Sequence, residues 1–219
     1  MNKNTILELS NDTFDKIMDF GKYYKNENLL ETSFANWNVR DVIGHVNSWI
    51  KFSEDKLESI KLKRSFEDVR HVDIDKFNEM NYEKNKTKTL EDVLHETKII
   101  LNNYNNILNL FNEEELLSKE FPTGFSFELW KYMAMDVYIH PIAHILYHYI
   151  KREDYNKFII EIENSKNVFM EYPNNINVYD FGDFFENREE KVKRFNGLKN
   201  IIKNKGNKFV EEIIEINSK

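Results

Sequence analysis

A chain of 219 residues with only 6 Gly and 3 Pro is one large domain or a domain with an appendage, too poor in turn formers for a sandwich, a barrel or a collagen-like repeat. Its 41% hydrophobic and 14% aromatic residues suffice for a sizeable core, which excludes disorder despite 32% charged residues. A net charge of −7, with no Lys/Arg stripe interleaved with aromatic residues, argues against a nucleic-acid partner.

Residues 5–24 carry Ile6, Leu9, Phe14, Ile17, Met18, Phe20 and Tyr24 at mostly helical spacing, which predicts a first helix with Ser10 or Asn11 as a cap, followed by a polar loop through Asn36. Asn38 with Asp41 three positions on is a capping-box-like start to a second helix running to about Lys63. Val42, Val46, Trp49, Leu57 and Ile60 form its buried stripe, and His45 lies on that side. Residues 64–88 lack sustained periodicity and read as a long connection with one short helical turn at Asp75–Tyr82. Thr89 and Asp92 open a third helix to about Phe111, Asn112–Glu115 reads as a short helical turn, and Phe121–Gly124 as a connector. Ser126 or Thr123 is expected to cap a fourth helix that continues to about Lys151. Beyond it, a helix is expected at Tyr155–Met170, a turn at Tyr172–Asn175, and a mixed-charge helix at Phe184–Lys203 ending before Gly206. Phe209–Ile216 is amphipathic but too short to assign. The helix count and the long connection after the second helix predict an all-α protein: an up-down-down-up four-helix bundle over residues 5–151 and a helical C-terminal extension, 152–219, packed on the bundle or on a partner.

The histidines carry the strongest chemical signal. Of His45, His71, His95, His140, His144 and His148, three fall within nine positions of the predicted fourth helix. At 100° per residue His140 and His144 are about 40° apart and one turn along the axis, a spacing that lets two imidazoles bind one ion. His45 is the natural third ligand, since it too is embedded in a strong apolar stripe, and three neutral imidazoles leave a position open, as in catalytic zinc sites. Asp136, four residues before His140, is expected on the same face, as an acceptor that fixes a His tautomer, a ligand or a base. His148 is turned about 80° from His140 and is expected off the site. Pro141 in a helix interior costs roughly 3 kcal/mol or more and predicts a kink beside the ligands.

The plainer readings stand beside these. An inward-facing His is more often a hydrogen-bonded core residue than a ligand, and an i, i+4 His pair on an apolar helix serves packing about as often as ligation. Trp130, Met133, Tyr147 and Tyr149 read as core, and Glu189, Glu190, Lys191, Lys193 and Arg194 as a solvated face. Zero Cys removes disulfides, thiolate sites and cysteine nucleophiles. HExxH, Walker, GxSxG and GxGxxG patterns are absent from the sequence, which disfavours those hydrolases and nucleotide enzymes. The N-terminus shows no apolar export signal. The most apolar stretch, Tyr132–Ile150, carries Asp136, Pro141 and three His, each costly in lipid, so a cytoplasmic protein without a membrane partner is expected.

Two segments, Trp37-Asn-Val-Arg-Asp-Val-Ile-Gly-His45-Val-Asn-Ser-Trp49 and Val137-Tyr-Ile-His140-Pro-Ile-Ala-His144-Ile, together resemble the DinB/YfiT-like superfamily of four-helix bundles. The spacing of Asp75, Phe77, Asn78 and Tyr82 is similar to one DinB subgroup. The resemblance covers roughly residues 5–151 and implies a divalent metal, zinc or nickel, on His45, His140 and His144. Pro141 and Ile145 depart from the pattern, where many members carry Glu and an Arg-Gly-Gln continuation, so a shared substrate does not follow. Superfamily activities imply a metal-dependent enzyme on a small-molecule substrate, with thiol-dependent S-transfer to an electrophile as the expected class and a low-molecular-weight thiol as cosubstrate, which suits a chain without Cys. Metal-dependent hydrolysis and non-catalytic binding or self-resistance in a cleft walled by Trp49, Trp130 and Tyr138 are the alternatives. A homodimer is left open.

Overall fold

The structure, a computed structural model, describes residues 2–27, 36–66, 73–121, 123, 127–170 and 188–217, and every regular element among them is helical. The chain divides into two compact units, Met1–Pro141 and Ile142–Lys219, a division that falls inside a helix and ahead of residue 151.

The first unit contains α1 (Lys3–Tyr23), α2 (Val39–Lys61), α3 (Ile74–Asn85), α4 (Leu90–Asn109), α5 (Glu113–Leu117), α6 (Leu129–Ala134) and a π-helical segment, Met135–Ile139. Local chemistry starts the two longest partners. Asn38 accepts from the Asp41 N–H while Asp41 accepts from the Asn38 N–H, and Thr89 and Asp92 make the same reciprocal pair, so α2 and α4 both begin on the capping boxes read from the sequence. Leu90, Val93, Thr97, Leu101, Tyr104 and Leu108 form the buried face of α4, which packs against α1 and α2. A buried polar clamp fixes the α2–α4 register: Asn47 donates to the Val93 carbonyl at 2.9 Å and accepts from the Thr97 hydroxyl at 2.9 Å.

In the second unit, α7 (His140–Lys151, continuing from the first) is followed by α8 (Tyr155–Met170), α9 (Arg188–Lys203) and α10 (Lys208–Asn217). Phe158, Ile159 and Ile162, Phe195, Leu198 and Ile202, and Val210, Ile213 and Ile214 are buried apolar residues on α8–α10. Gly206, at φ +66°, turns the chain between α9 and α10, a left-handed conformation that suits glycine. Lys199 and Glu215 tie the two helices at 2.9 Å.

Several expectations change. α1 starts at Lys3 on an Asn2 cap, which accepts from the Thr5 N–H, so Ser10 and Asn11 lie inside the helix. The connection 64–88 contains a helix of 12 residues, α3, in place of one short turn; Asp73 caps it by accepting from the Lys76 N–H at 3.0 Å. The fourth helix is capped by neither Thr123, which is buried in the connector, nor a side chain of Glu128, the residue at its start; Ser126 lies outside the described residues, as do His71 and the turn at Tyr172–Asn175. Nor is that helix a single α-helix with a kink. The π segment widens the backbone just before Pro141, with the His140 N–H reaching back to the Met135 carbonyl. α7 then starts afresh at His140, which places Pro141 in a first turn, where a missing N–H removes no intrahelical bond.

Replacing Asn38 by Ala is expected to cost about 1–2 kcal/mol by removing the cap of α2. Urea unfolding followed by circular dichroism should show a lower midpoint at unchanged slope, whereas an unchanged midpoint would mean the cap contributes nothing.

Candidate metal centre

α2 brings His45 inward from the first unit's apolar stripe, four residues before Trp49, and the end of the π segment delivers His140 opposite it. The two Nε2 atoms are 3.4 Å apart. That separation exceeds the usual span of an N–H···N bond. It matches the distance of about 3.3–3.4 Å between two nitrogens that each lie about 2.0–2.1 Å from one tetrahedral ion. His144 follows His140 by one turn of α7, an unbroken helix, so helical geometry sets it beside its neighbour. Ligand atoms of His45, His140 and His144 all lie within 4.8 Å of one another.

Burial keeps His45 and His140 uncharged. His45 is pushed well below the usual imidazole range, first by removal from water and then by the neighbouring His140. Burial alone lowers His140 to about 4. Neutral imidazole is the form that ligates a metal, so the residues present fit a divalent ion with nitrogen preference, and three of them leave a coordination position for a fourth group.

Aromatic rings surround the pair. Trp37 lies 4.6 Å from His45 between ring centroids, and Trp49 meets His140 edge-on at 6.2 Å. α3 supports Trp49 from outside: Phe77 packs on its ring at 4.6 Å and Asn78 accepts from its indole N–H at 2.9 Å. Two of the residues whose spacing stood out in the sequence thus converge on a ring of the site. Trp130 and Tyr138, the other expected walls, are buried. His148 is fully buried and falls outside the ligand group, as its angular offset predicts.

Asp136 takes part in a different buried cluster. The groups that act on its carboxyl are Ser53 of α2, Tyr132 of α6 and Lys56 of α2, and neither His45 nor His140 is among them. Lys56 is 2% exposed, donates to the Thr123 carbonyl at 2.6 Å, and lies over the Tyr132 ring at 4.9 Å. Burial raises Asp136 to about 6, which Ser53, Tyr132 and Lys56 only partly counter. Sequence reading had not singled out Lys56, although a helical signal existed: eleven positions beyond His45 is about 20° of rotation, so both share one stripe of α2.

Asp136 and His140 give opposite pH dependences. An Asp held at about 6 when folded, against an ordinary value of 3.8, carries a cost that is absent below pH 3.8 and complete above about 6, roughly 3 kcal/mol at 1.36 kcal/mol per unit. His140, at about 4 against 6.5, leaves stability intact above 6.5 and lowers it as the pH falls toward 4. Asp136→Asn is therefore expected to raise the urea midpoint at pH 8 and leave it nearly unchanged at pH 4; equal effects at both would contradict the buried carboxyl.

Apo protein titrated with Zn or Ni is expected to take up about one equivalent, and His140→Ala to lose most of that affinity, read by calorimetry. Retention of full affinity by the variant would remove His140 from the site. Compared with known proteins, the chain matches no family model, no curated protein and no solved structure, so the reading of this centre rests on its own geometry.

Proposed function

We propose that the protein is a metal-dependent enzyme of DinB-like kind, with zinc or nickel held by His45, His140 and His144, that transfers a low-molecular-weight thiol to a small electrophile. The observation that carries this reading is the 3.4 Å approach of the His45 and His140 Nε2 atoms in a buried setting, with a second imidazole of α7 one turn away. A topology of four helices in up-down-down-up order over residues 5–151, with 152–219 as a helical extension, belongs to the same proposal.

A bound divalent ion lowers the pKa of a coordinated thiol or water and so supplies a nucleophile near neutral pH. The chain's own residues do the rest: burial keeps His45 and His140 uncharged, and Trp37 and Trp49 give the site an apolar rim that excludes water and favours an apolar electrophile. With no Cys in the chain, the sulfur comes from the cosubstrate. In the net reaction a carbon–sulfur bond forms, the bond to the leaving group breaks, and the thiol proton departs with that group.

Metal-loaded protein incubated with a panel of haloaromatic, epoxide and ester electrophiles is expected to consume substrate only when bacillithiol or a comparable thiol is present, and to stop after chelation. Turnover that needs metal but not thiol would replace the transferase with a hydrolase. No turnover in any arm would count against catalysis and favour small-molecule sequestration.

A further inference from the structure

A groove of about 360 Å³ opens between α2, α3 and α4 in the first unit. Its lining divides by chemistry. Phe52 and Phe77 form one aromatic wall, and Ile99 and Ile100 of α4 an apolar one. Ile99 is 47% exposed, a large apolar side chain left in contact with solvent. Lys51, Lys84 and Lys88 contribute cations, and Asp55 and Glu96 carboxylates. Two lysines are occupied: Lys51 pairs with Glu54 and Asp55, both at 2.8 Å, and Lys88 with Glu96 at 2.6 Å. Lys84 makes no ion pair or hydrogen bond with the described residues.

The more telling group is Asn85. It is 4% exposed and lines the groove, and its side-chain amide makes no hydrogen bond to the described residues while keeping contact with solvent there, so a ligand acceptor can meet it without breaking an internal bond. Gly44 leaves room for it: a Cβ there would sit 2.8 Å from Asn85 Nδ2, close enough that the amide would have to shift. A partnerless donor and an uncompensated cation at adjacent positions on α3, beside aromatic and aliphatic walls, define complementary chemistry.

We propose that this groove binds a small organic anion with a flat apolar body, its carboxylate taken by Asn85 Nδ2 and Lys84 Nζ and its body held between Phe52, Phe77 and Ile99. The groove contains none of the three imidazoles and does not depend on a metal, although Phe77, one of its walls, also packs on Trp49 beside them.

The probe is 1-naphthoate, titrated by calorimetry and ligand-observed NMR into chelator-treated protein, so that binding to a metal ion cannot contribute. Saturable binding with Kd on the order of 1 mM or tighter is expected. Lys84→Glu, at an exposed position, and the isosteric Asn85→Asp should each weaken it by about tenfold or more, while neutral 1-naphthalenemethanol binds less well. His140→Ala should bind naphthoate as the parent does. Absence of saturable binding, indifference to either groove substitution with circular dichroism unchanged, or loss in His140→Ala would each overturn the proposal. Because the assay is run without metal, its failure leaves the enzymatic reading standing, and failure of that reading leaves the groove unaffected.

Discussion

Two imidazole nitrogens held 3.4 Å apart away from water cannot both carry protons without a large electrostatic cost, and much of the molecule is arranged around that constraint. Burial answers it by keeping both rings neutral, which lowers His140 to about 4 and His45 well below its ordinary range. The same neutrality turns a costly arrangement into a ligand set, because each neutral ring can offer a nitrogen lone pair to a divalent ion. What sustains the pair is therefore the packing of α2, whose capping box, buried stripe and Asn47 clamp to α4 hold His45 in place.

The opposite side of the pair depends on a backbone irregularity. An unbroken α-helix through Pro141 would drive the proline ring into the Val137 carbonyl. The π segment resolves that conflict by spacing the hydrogen bond from His140 to Met135, and α7 resumes at the ligand itself. Proline and metal-binding geometry are thus linked: the residue that disturbs the helix sits one position beyond the ligand that the disturbance positions.

Much of this could be read from the chain. Capping pairs at Asn38/Asp41 and Thr89/Asp92 are local chemistry with fixed spacing, and α2 and α4 begin where they predict. The i, i+4 histidines and inward His45 likewise follow from helical periodicity, and the structure brings all three within reach of one ion. What escaped were features whose signal is not apolar periodicity. α3 buries only Asn85, so it has no stripe to detect, and the sequence shows only one helical turn of it, at Asp75–Tyr82. Lys56 reads as a surface residue until Tyr132 of α6 and Phe66 bring their rings to its ammonium. Pro141 marked a disturbance, but the choice between kink and π widening depends on packing that a single segment does not encode.

The central claim, that three imidazoles form one metal centre, is tested most directly by X-ray absorption spectroscopy of zinc- or nickel-loaded protein. The account predicts about three imidazole nitrogens at about 2.0–2.1 Å with outer-shell ring scattering, and loss of one imidazole in His45→Ala. A first shell of oxygen alone, or an unchanged spectrum in that variant, would contradict it.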